Sequence, residues 1–248
     1  NTLHTPPLGV FYNRMSASSH TRGHRYAPEY TTVVLNWLEL HNRRVINSSR
    51  ALVLELSKSL QNKELEKENI KIPNTVYAKD KEQLLHLGKS FPFPYLTKHN
   101  RAGRGLGIKL FHDYQSFKLY INSTEFEDSI DGITLLQKYV TTKTATIIRT
   151  EFIDSKFLYA VQVDTSKGFE LCPADACNLE DEYCPANATG NKFMILDDFS
   201  NPILDQYQKV LKNNHIEIAG IEFLESVNGQ LYTYDINPNT NYNSIAAH

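Results

Sequence analysis

Close to its C-terminal end the chain reads "GIEFLESVNGQLYTYDINPNTN", a stretch that carries Glu222, Asp235 and Asn237. Asn228-Gly229 is a strong hairpin signal, because a two-residue type I′ turn needs positive φ at both central positions. With those two as the loop, Val227 faces Gln230, and counting outward sets Glu222 opposite Asp235. Opposed residues hold their Cβ atoms about 4.5–5.5 Å apart, and Asn237 falls on the same face two positions further on. Two facing carboxylates repel one another. A divalent cation removes that repulsion, and three oxygen ligands suit Mg2+, whose other positions take phosphate oxygens and water. The plainer alternative is an Asp and an Asn that merely end a strand before the "NPN" turn. The opposed Glu222 favours the metal.

A second stretch, "KHNRAGRGLGI", places Lys98, Arg101 and Arg104 around Gly103, Gly105 and Gly107. It is neither a Walker loop nor G-x-G-x-x-G, and an apolar strand pattern follows it instead of a helix. A glycine turn between two strands can still fold over phosphates, with backbone N–H groups turned inward and a lysine supplying charge. A flexible basic hairpin is the alternative. Arg149 and Glu151 share one face of the strand "TIIRTEFI", the spacing of an ordinary ion pair. Lys58 reads as a solvated helix lysine. His20, Arg22 and His24 read as a polar surface loop, with a metal or anion site as the alternative.

These residues need elements to position them. "VFYN" is a short strand, "YTTVVLNWLELHNRRVIN" a helix and then a strand. Ser48 and Ser49 cap a further helix, read as one unbroken element through Leu52, Leu56 and Leu60 to the segment before Pro73. "IPNTVYA", "FPYLTKHN", "GIKLF" and "GITLLQKYV" are strands, with "DKEQLLHL" and "DYQSFKLYI" as helices between them. "ATIIRTEFI" and "FLYAVQVD" alternate as paired strands. Asn201-Pro202 opens a helix with Pro at its first position, and the terminal hairpin follows. The class is α/β to α+β.

Composition narrows the function classes. The 248 residues are 41% hydrophobic and 22% charged with a formal net charge of -2, so no global basic field calls for nucleic acid. No apolar run approaches the roughly 20 residues of a membrane helix, and the start is not a signal peptide. The 3 cysteines, Cys172, Cys177 and Cys184, are too few and too widely spaced for a zinc site and read as free thiols of a cytoplasmic protein. Asn47, Asn122 and Asn187 match the N-x-S/T pattern at the frequency chance gives, and are not read as glycosylated.

In combination, "ELSKSLQNKEL…IKIPNT", "PYLTKHNRAGRGLGI", "LLQKYV", "IIRTEF" and "AGIEFLES…YTYDINPNTN" resemble the ATP-grasp superfamily. The branch they resemble most is the ribosomal-protein α-L-glutamate ligase and lysine-biosynthesis ligase group. The resemblance implies an ATP-grasp fold, two α+β subdomains clasping ATP, preceded by a truncated α/β pre-domain over residues 1–50. The ATP-grasp domain would span 51–248, with a glycine-lid subdomain near 72–136 and a metal-site subdomain near 137–248. Lys58 and Lys98 would touch ATP phosphates, and Gly103, Gly105 and Gly107 would cover them. Gln137, Lys138, Tyr139 and Val140 would line the adenine pocket. Glu222, Asp235 and Asn237 would hold Mg2+, with Mn2+ as an alternative.

The activity so implied is ATP-dependent carboxylate–amine ligation through an acylphosphate. Lys98 and Arg149 would act at the transferred phosphoryl group, and Arg14 and Arg22 would grip the substrate carboxylate. The substrates would be a small-molecule or peptide carboxylate and an amine. Two departures stand out: Lys138 where such ligases commonly have an acid, and Ile147 near the position of a ribose-binding acid. They keep two alternatives open, a nucleotide-binding protein without ligase activity and a kinase acting on a hydroxyl. The segment "KGFELCPADACNLEDEYCPANATG" lacks the basic acceptor-binding character of the glutamate ligases, so glutamate is not supported as the added amino acid.

Overall fold

The computed structural model describes residues 4–103, 105–166 and 193–240. Arg104 and the three cysteines lie outside them, as does Asn187.

A first unit runs β1 (Val10–Tyr12), a 3-10 turn (Ser19–Arg22), α1 (Ala27–Leu40) and β2 (Arg44–Ile46). Its two strands pair in parallel, Phe11 against Val45. A parallel pair needs a crossover, and α1 supplies it. The apolar face of α1, Leu35 and Leu38, packs on Val45 and on Leu52 of α2 (Ser49–Glu55).

The helix expected to run unbroken from Ser49 is two. Helix α2 stops at Glu55 and α3 (Lys58–Lys67) starts afresh. Ser57 is the reason: its backbone is extended and its hydroxyl accepts the Leu60 N–H, a new N-cap. The apolar period of four continues across the break, so periodicity alone hides it.

Next comes a four-stranded antiparallel sheet in the order β3 (Thr75–Ala78), β6 (Thr134–Lys138), β4 (Tyr95–His99), β5 (Lys109–Phe111). Helices α4 (Lys81–Ser90) and α5 (Tyr114–Ile121) cover one face through Leu84, Tyr95, Phe111 and Phe117. Both are capped by aspartate, Asp80 and Asp113.

The third unit is a five-stranded antiparallel sheet, ordered β11 (Leu231–Asn237), β10 (Ile218–Glu225), β7 (Thr146–Ile153), β8 (Lys156–Asp164), β9 (Phe193–Leu196). The edge strand β9 was not anticipated, since four residues of "FMIL" carry no alternation. Helix α6 (Ile203–Asn213) lays Tyr207, Val210 and Leu211 on Phe152, Ala219, Ile221 and Phe223. Strands alternate faces, so the neighbours Arg149, Glu151 and Glu222 point the other way. Pro202 stands at the N-cap of α6, one place before the first helical position expected of it, and Asn201 Oδ1 accepts the Ile203 N–H at 3.0 Å.

The terminal hairpin reaches the expected pairing by an unexpected route. Ser226 N–H bonds to Gln230 O and Gly229 N–H to Ser226 O, each at 2.9 Å. The loop therefore has three residues, with Gly229 alone in the left-handed region at φ 78°, not a two-residue type I′ turn. That shifts the register by one, through Glu225↔Leu231 to Phe223↔Thr233. A bulge at Tyr234 shifts it back, and Glu222 pairs with Asp235.

Candidate active site

Lys58 opens α3 and Lys98 lies near the end of β4, so they arrive from different elements. Asn100 fixes their relation. Its backbone carbonyl accepts the Lys58 N–H at 3.2 Å, and its Oδ1 accepts the Ser59 N–H at 2.8 Å. Asp131 in turn holds the Asn100 amide at 2.6 Å. The N-terminus of α3 is thereby tied to the residue two places past Lys98. Both lysines converge on β11: Lys58 Nζ forms an ion pair with Asp235, and Lys98 Nζ donates to Tyr234 O at 3.2 Å. The Lys98 ammonium also stands 5.2 Å from the centre of the Tyr234 ring. Lys58 is therefore buried, not the solvated lysine expected of an exposed helix.

The charges of these groups follow from their partners. Burial pushes Lys98 down to about 8, and the nearby Lys58 adds to the fall. Burial would do the same to Lys58, but Asp235 outweighs it and holds Lys58 charged. Burial raises a carboxylate, yet Lys58 and then Lys98 hold Asp235 below the usual range. Glu222 rises, by burial first, with Arg149 opposing and Asp235 reinforcing.

Arg149 is the second hub. Its Nε donates to Glu151 at 2.6 Å, its Nη1 to Glu222 at 2.5 Å, and its Nη2 to Thr240. Burial would lower Arg149, but Glu151 and Glu222 keep it firmly charged. A Cβ on Gly220 would collide with this guanidinium; glycine there lets Arg149 lie flat across β10. The facing carboxylates are thus not a bare repulsive pair. Each has its own cation, Lys58 for Asp235 and Arg149 for Glu222.

Glu222, Asp235 and Asn237 offer hard oxygen donors along one end of the hairpin, and Asn237 Nδ2 donates to Asp235 Oδ2 at 3.1 Å. Among the described residues no three of His, Cys, Asp or Glu cluster as a metal cage. The donor set fits a hard cation that brings phosphate oxygens and water of its own.

The glycine loop spans residues 100–108, between β4 and β5. Gly105 and Gly107 have φ of 72° and 75°, and a Cβ on Gly107 would strike the His99 ring. Gly103 faces Ser18 of the first unit, its would-be Cβ 3.6 Å from the Ser18 side chain. Arg101 is anchored to Glu29 of α1 at 2.8 Å. Arg22 reaches the Ser18 hydroxyl at 3.4 Å, and Arg14 stands over the Tyr12 ring. The arginine loop and the glycine loop therefore meet.

Gln137 to Val140 lead from the four-stranded to the five-stranded sheet. Gln137 is buried with Nε2 on Thr75 Oγ1 at 3.1 Å, and Tyr139 N–H bonds to Pro94 O at 3.1 Å. Lys138 is turned onto backbone carbonyls, with Nζ 2.5 Å from Phe93 O.

Four residues of the site escaped sequence reasoning: Glu55, Asn100, Thr240 and Asn47. Asn47 Nδ2 donates to Ile218 O and Pro238 O, both at 2.7 Å, and its Oδ1 accepts the N–H groups of Glu217 and Ile218. Each is a polar residue beside a helix end or a strand end. Position within three residues of Lys58, Lys98 or Asn237 was the available signal for Glu55, Asn100 and Thr240, and Asn47 carried no such signal.

Residues 56–170 match the sequence model of the RimK-like ATP-grasp domain, and solved structures extend the likeness over nearly the whole chain. The chain carries an ATP-grasp fold. One similar structure is the RimK domain protein ATP-grasp from Sphaerobacter thermophilus, with TM-score 0.63 and 11% identity over 98% of this chain and 78% of that one. A second is the ATP-grasp ligase PsnB complexed with minimal precursor, Mg and ADP. It has TM-score 0.60 and 13% identity over 96% of this chain and 72% of that one. A third is the RiPP-associated ATP-grasp ligase of Chryseobacterium gregarium, in complex with ADP and a leader and core peptide. Its TM-score is 0.59 with 15% identity over 94% of this chain and 69% of that one. No curated protein sequence matches. No helix among the described residues is long and apolar enough to cross a membrane.

Proposed function

We propose that this chain is an ATP-dependent carboxylate–amine ligase that forms an amide through an acylphosphate. The observation that carries the reading is convergence: Lys58 and Lys98, from a helix and a strand far apart in the chain, meet at the strand that bears Asp235, opposite Glu222. Two lysines from separate elements beside paired carboxylates suit a polyphosphate with its cation. The ADP and Mg of the structurally similar PsnB complex agree with this. We take residues 1–50 as belonging to a pre-domain and 51–248 as the ATP-grasp domain. Within the latter, the glycine-loop unit lies near 72–136 and the carboxylate unit near 137–248.

Mg2+ held by Glu222, Asp235 and Asn237 would supply positive charge to the nucleotide phosphates; Mn2+ would serve likewise. Lys98 would follow the phosphoryl group as it passes from ATP to the substrate carboxylate, where charge spreads over its oxygens. Lys58 would bind phosphate from the other side. Arg149 would hold Glu222 in place through the bonds described above and add positive potential. The glycines at 103, 105 and 107 would cover the phosphates and exclude water that would hydrolyse the acylphosphate. Gln137, Lys138, Tyr139 and Val140 would receive adenine, with backbone groups in place of the Lys138 ammonium. Arg14 and Arg22 would attract the substrate carboxylate. Residues 1–28 contain no Asp or Glu, so this approach is electropositive. A peptide carboxylate is the substrate class we favour, by analogy with the peptide-bound ligase of similar fold.

ADP release tests this. Release that requires both an acidic peptide and an amine supports ligation. Release driven by a hydroxyl compound would make the chain a kinase, and nucleotide binding without turnover would make it a passive binder.

A further inference from the structure

Glu55, the last residue of α2, has no part in the reaction as described so far. Its Oε1 accepts the Ala17 N–H at 3.2 Å. Asp235 and Lys58 are the charged groups that act on it most, and the backbone N–H of Asn239 favours its charged form. It therefore lies where the Ser16–Ser18 loop, the start of α3 and the end of β11 come together. The other carboxylates there are committed: Asp235 to Lys58, Glu222 and Glu151 to Arg149. Glu55 forms no ion pair among the described residues. The residue as a whole is half-buried.

We propose that Glu55 is the catalytic base of the amide-forming step, accepting the proton that the attacking amine must shed. This rests on the ligase reading. The amine arrives as its free base. Its nitrogen attacks the acyl carbon, and the new C–N bond forms as the C–O bond to phosphate breaks. That electron pair leaves with inorganic phosphate, and the surplus nitrogen proton passes to Glu55, which returns it to solvent. A base for this task works best with an affinity for protons near the ambient pH. Burial, aided by Asp235, lifts Glu55 to about 7, against the opposing backbone N–H of Ala17 and charge of Lys58. The competing role is a tether for the Ala17 loop, which needs only an acceptor oxygen.

Glu55→Gln separates the two, since the amide keeps an oxygen for Ala17 N–H and loses the base. The full-length chain is given Mg·ATP, a pool of short acidic peptides, and either n-butylamine or hydroxylamine. Hydroxylamine is a free base at neutral pH and traps acylphosphate as a hydroxamate with less need of a base. The expected result is that Glu55→Gln slows transfer to butylamine by at least ~10²-fold more than transfer to hydroxylamine. That excess should shrink as the pH is raised, with the melting temperature unchanged. Equal slowing of both acceptors would overturn the proposal. So would wild-type transfer by Glu55→Gln with only Glu55→Ala impaired, the mark of a tether. A wild-type chain that makes neither hydroxamate nor ADP would instead remove the ligase reading itself.

Discussion

Lys98 is the residue whose chemistry is most exposed to measurement. Burial and Lys58 leave its ammonium near a value of 8, whereas bound phosphate would raise it. Nucleotide binding at or above pH 8 should therefore take up a proton, and affinity should fall as pH climbs past 8. Calorimetry of Mg·ADP in buffers of differing ionisation enthalpy reads the uptake directly. Lys98→Met should abolish it and weaken binding by about 1.5–3 kcal/mol, the range for hydrogen bonds to charged groups. Asp235 gives a second residue-scale prediction. Were Glu222 and Asp235 an uncompensated pair, Asp235→Asn would relieve repulsion and stabilise the chain. Because Lys58 already neutralises Asp235, the substitution instead leaves a buried ammonium short of its partner. We expect it to lower the melting temperature by an amount equivalent to about 1–3 kcal/mol, somewhat less than loss of a buried pair outright. Adding Lys58→Met should recover stability without recovering turnover. A lone Asp235→Asn that melts higher would contradict the pairing.

At the scale of elements, what could be read in advance was what periodicity and capping encode. Strands β4, β7, β8, β10 and β11 alternate visibly, and Asp80 and Asp113 announce their helices. What could not be read is where two local rules compete. Ser57 breaks a helix whose leucines keep their spacing, since Asn100, far along the chain, completes the new N-terminus. Asn228-Gly229 suggests a two-residue turn, but the loop takes three residues and the bulge at Tyr234 restores the pairing. The Glu222–Asp235 match was thus foreseen by a count containing two offsetting errors. The site inherits that arithmetic. A one-residue slip would send every side chain to the opposite face. Deleting Val227 should avoid it, because the Asn228-Gly229 pair can close Ser226 on Gln230 as a two-residue turn and the bulge at Tyr234 still sets Asp235 opposite Glu222. Mg·ADP binding should therefore persist in that variant, and its loss in the same calorimetry would mean that the loop, not the bulge, sets the register.

For the molecule as a whole, the first unit is fastened to the carboxylate sheet by few polar groups, chiefly the Arg44–Glu217 ion pair and the amide of Asn47. Surface ion pairs contribute little, about 0–1 kcal/mol, so the amide carries most of the orientation. Asn47→Leu leaves two carbonyls and two N–H groups without partners and should cost more than about 2 kcal/mol, measured as a fall in denaturant midpoint. Unchanged stability would place the fastening elsewhere. The same amide also sets a limit on how long the molecule lasts. Asparagine is a heat-labile residue, and hydrolysis of this side chain would set a carboxylate against the carbonyls of Ile218 and Pro238 that it now serves as donor. One such event, anywhere in the life of the chain, would loosen the first unit from its sheet with no change in any residue of the carboxylate cluster. Aged preparations should then lose turnover as two populations, intact and altered, separable by a single unit of charge.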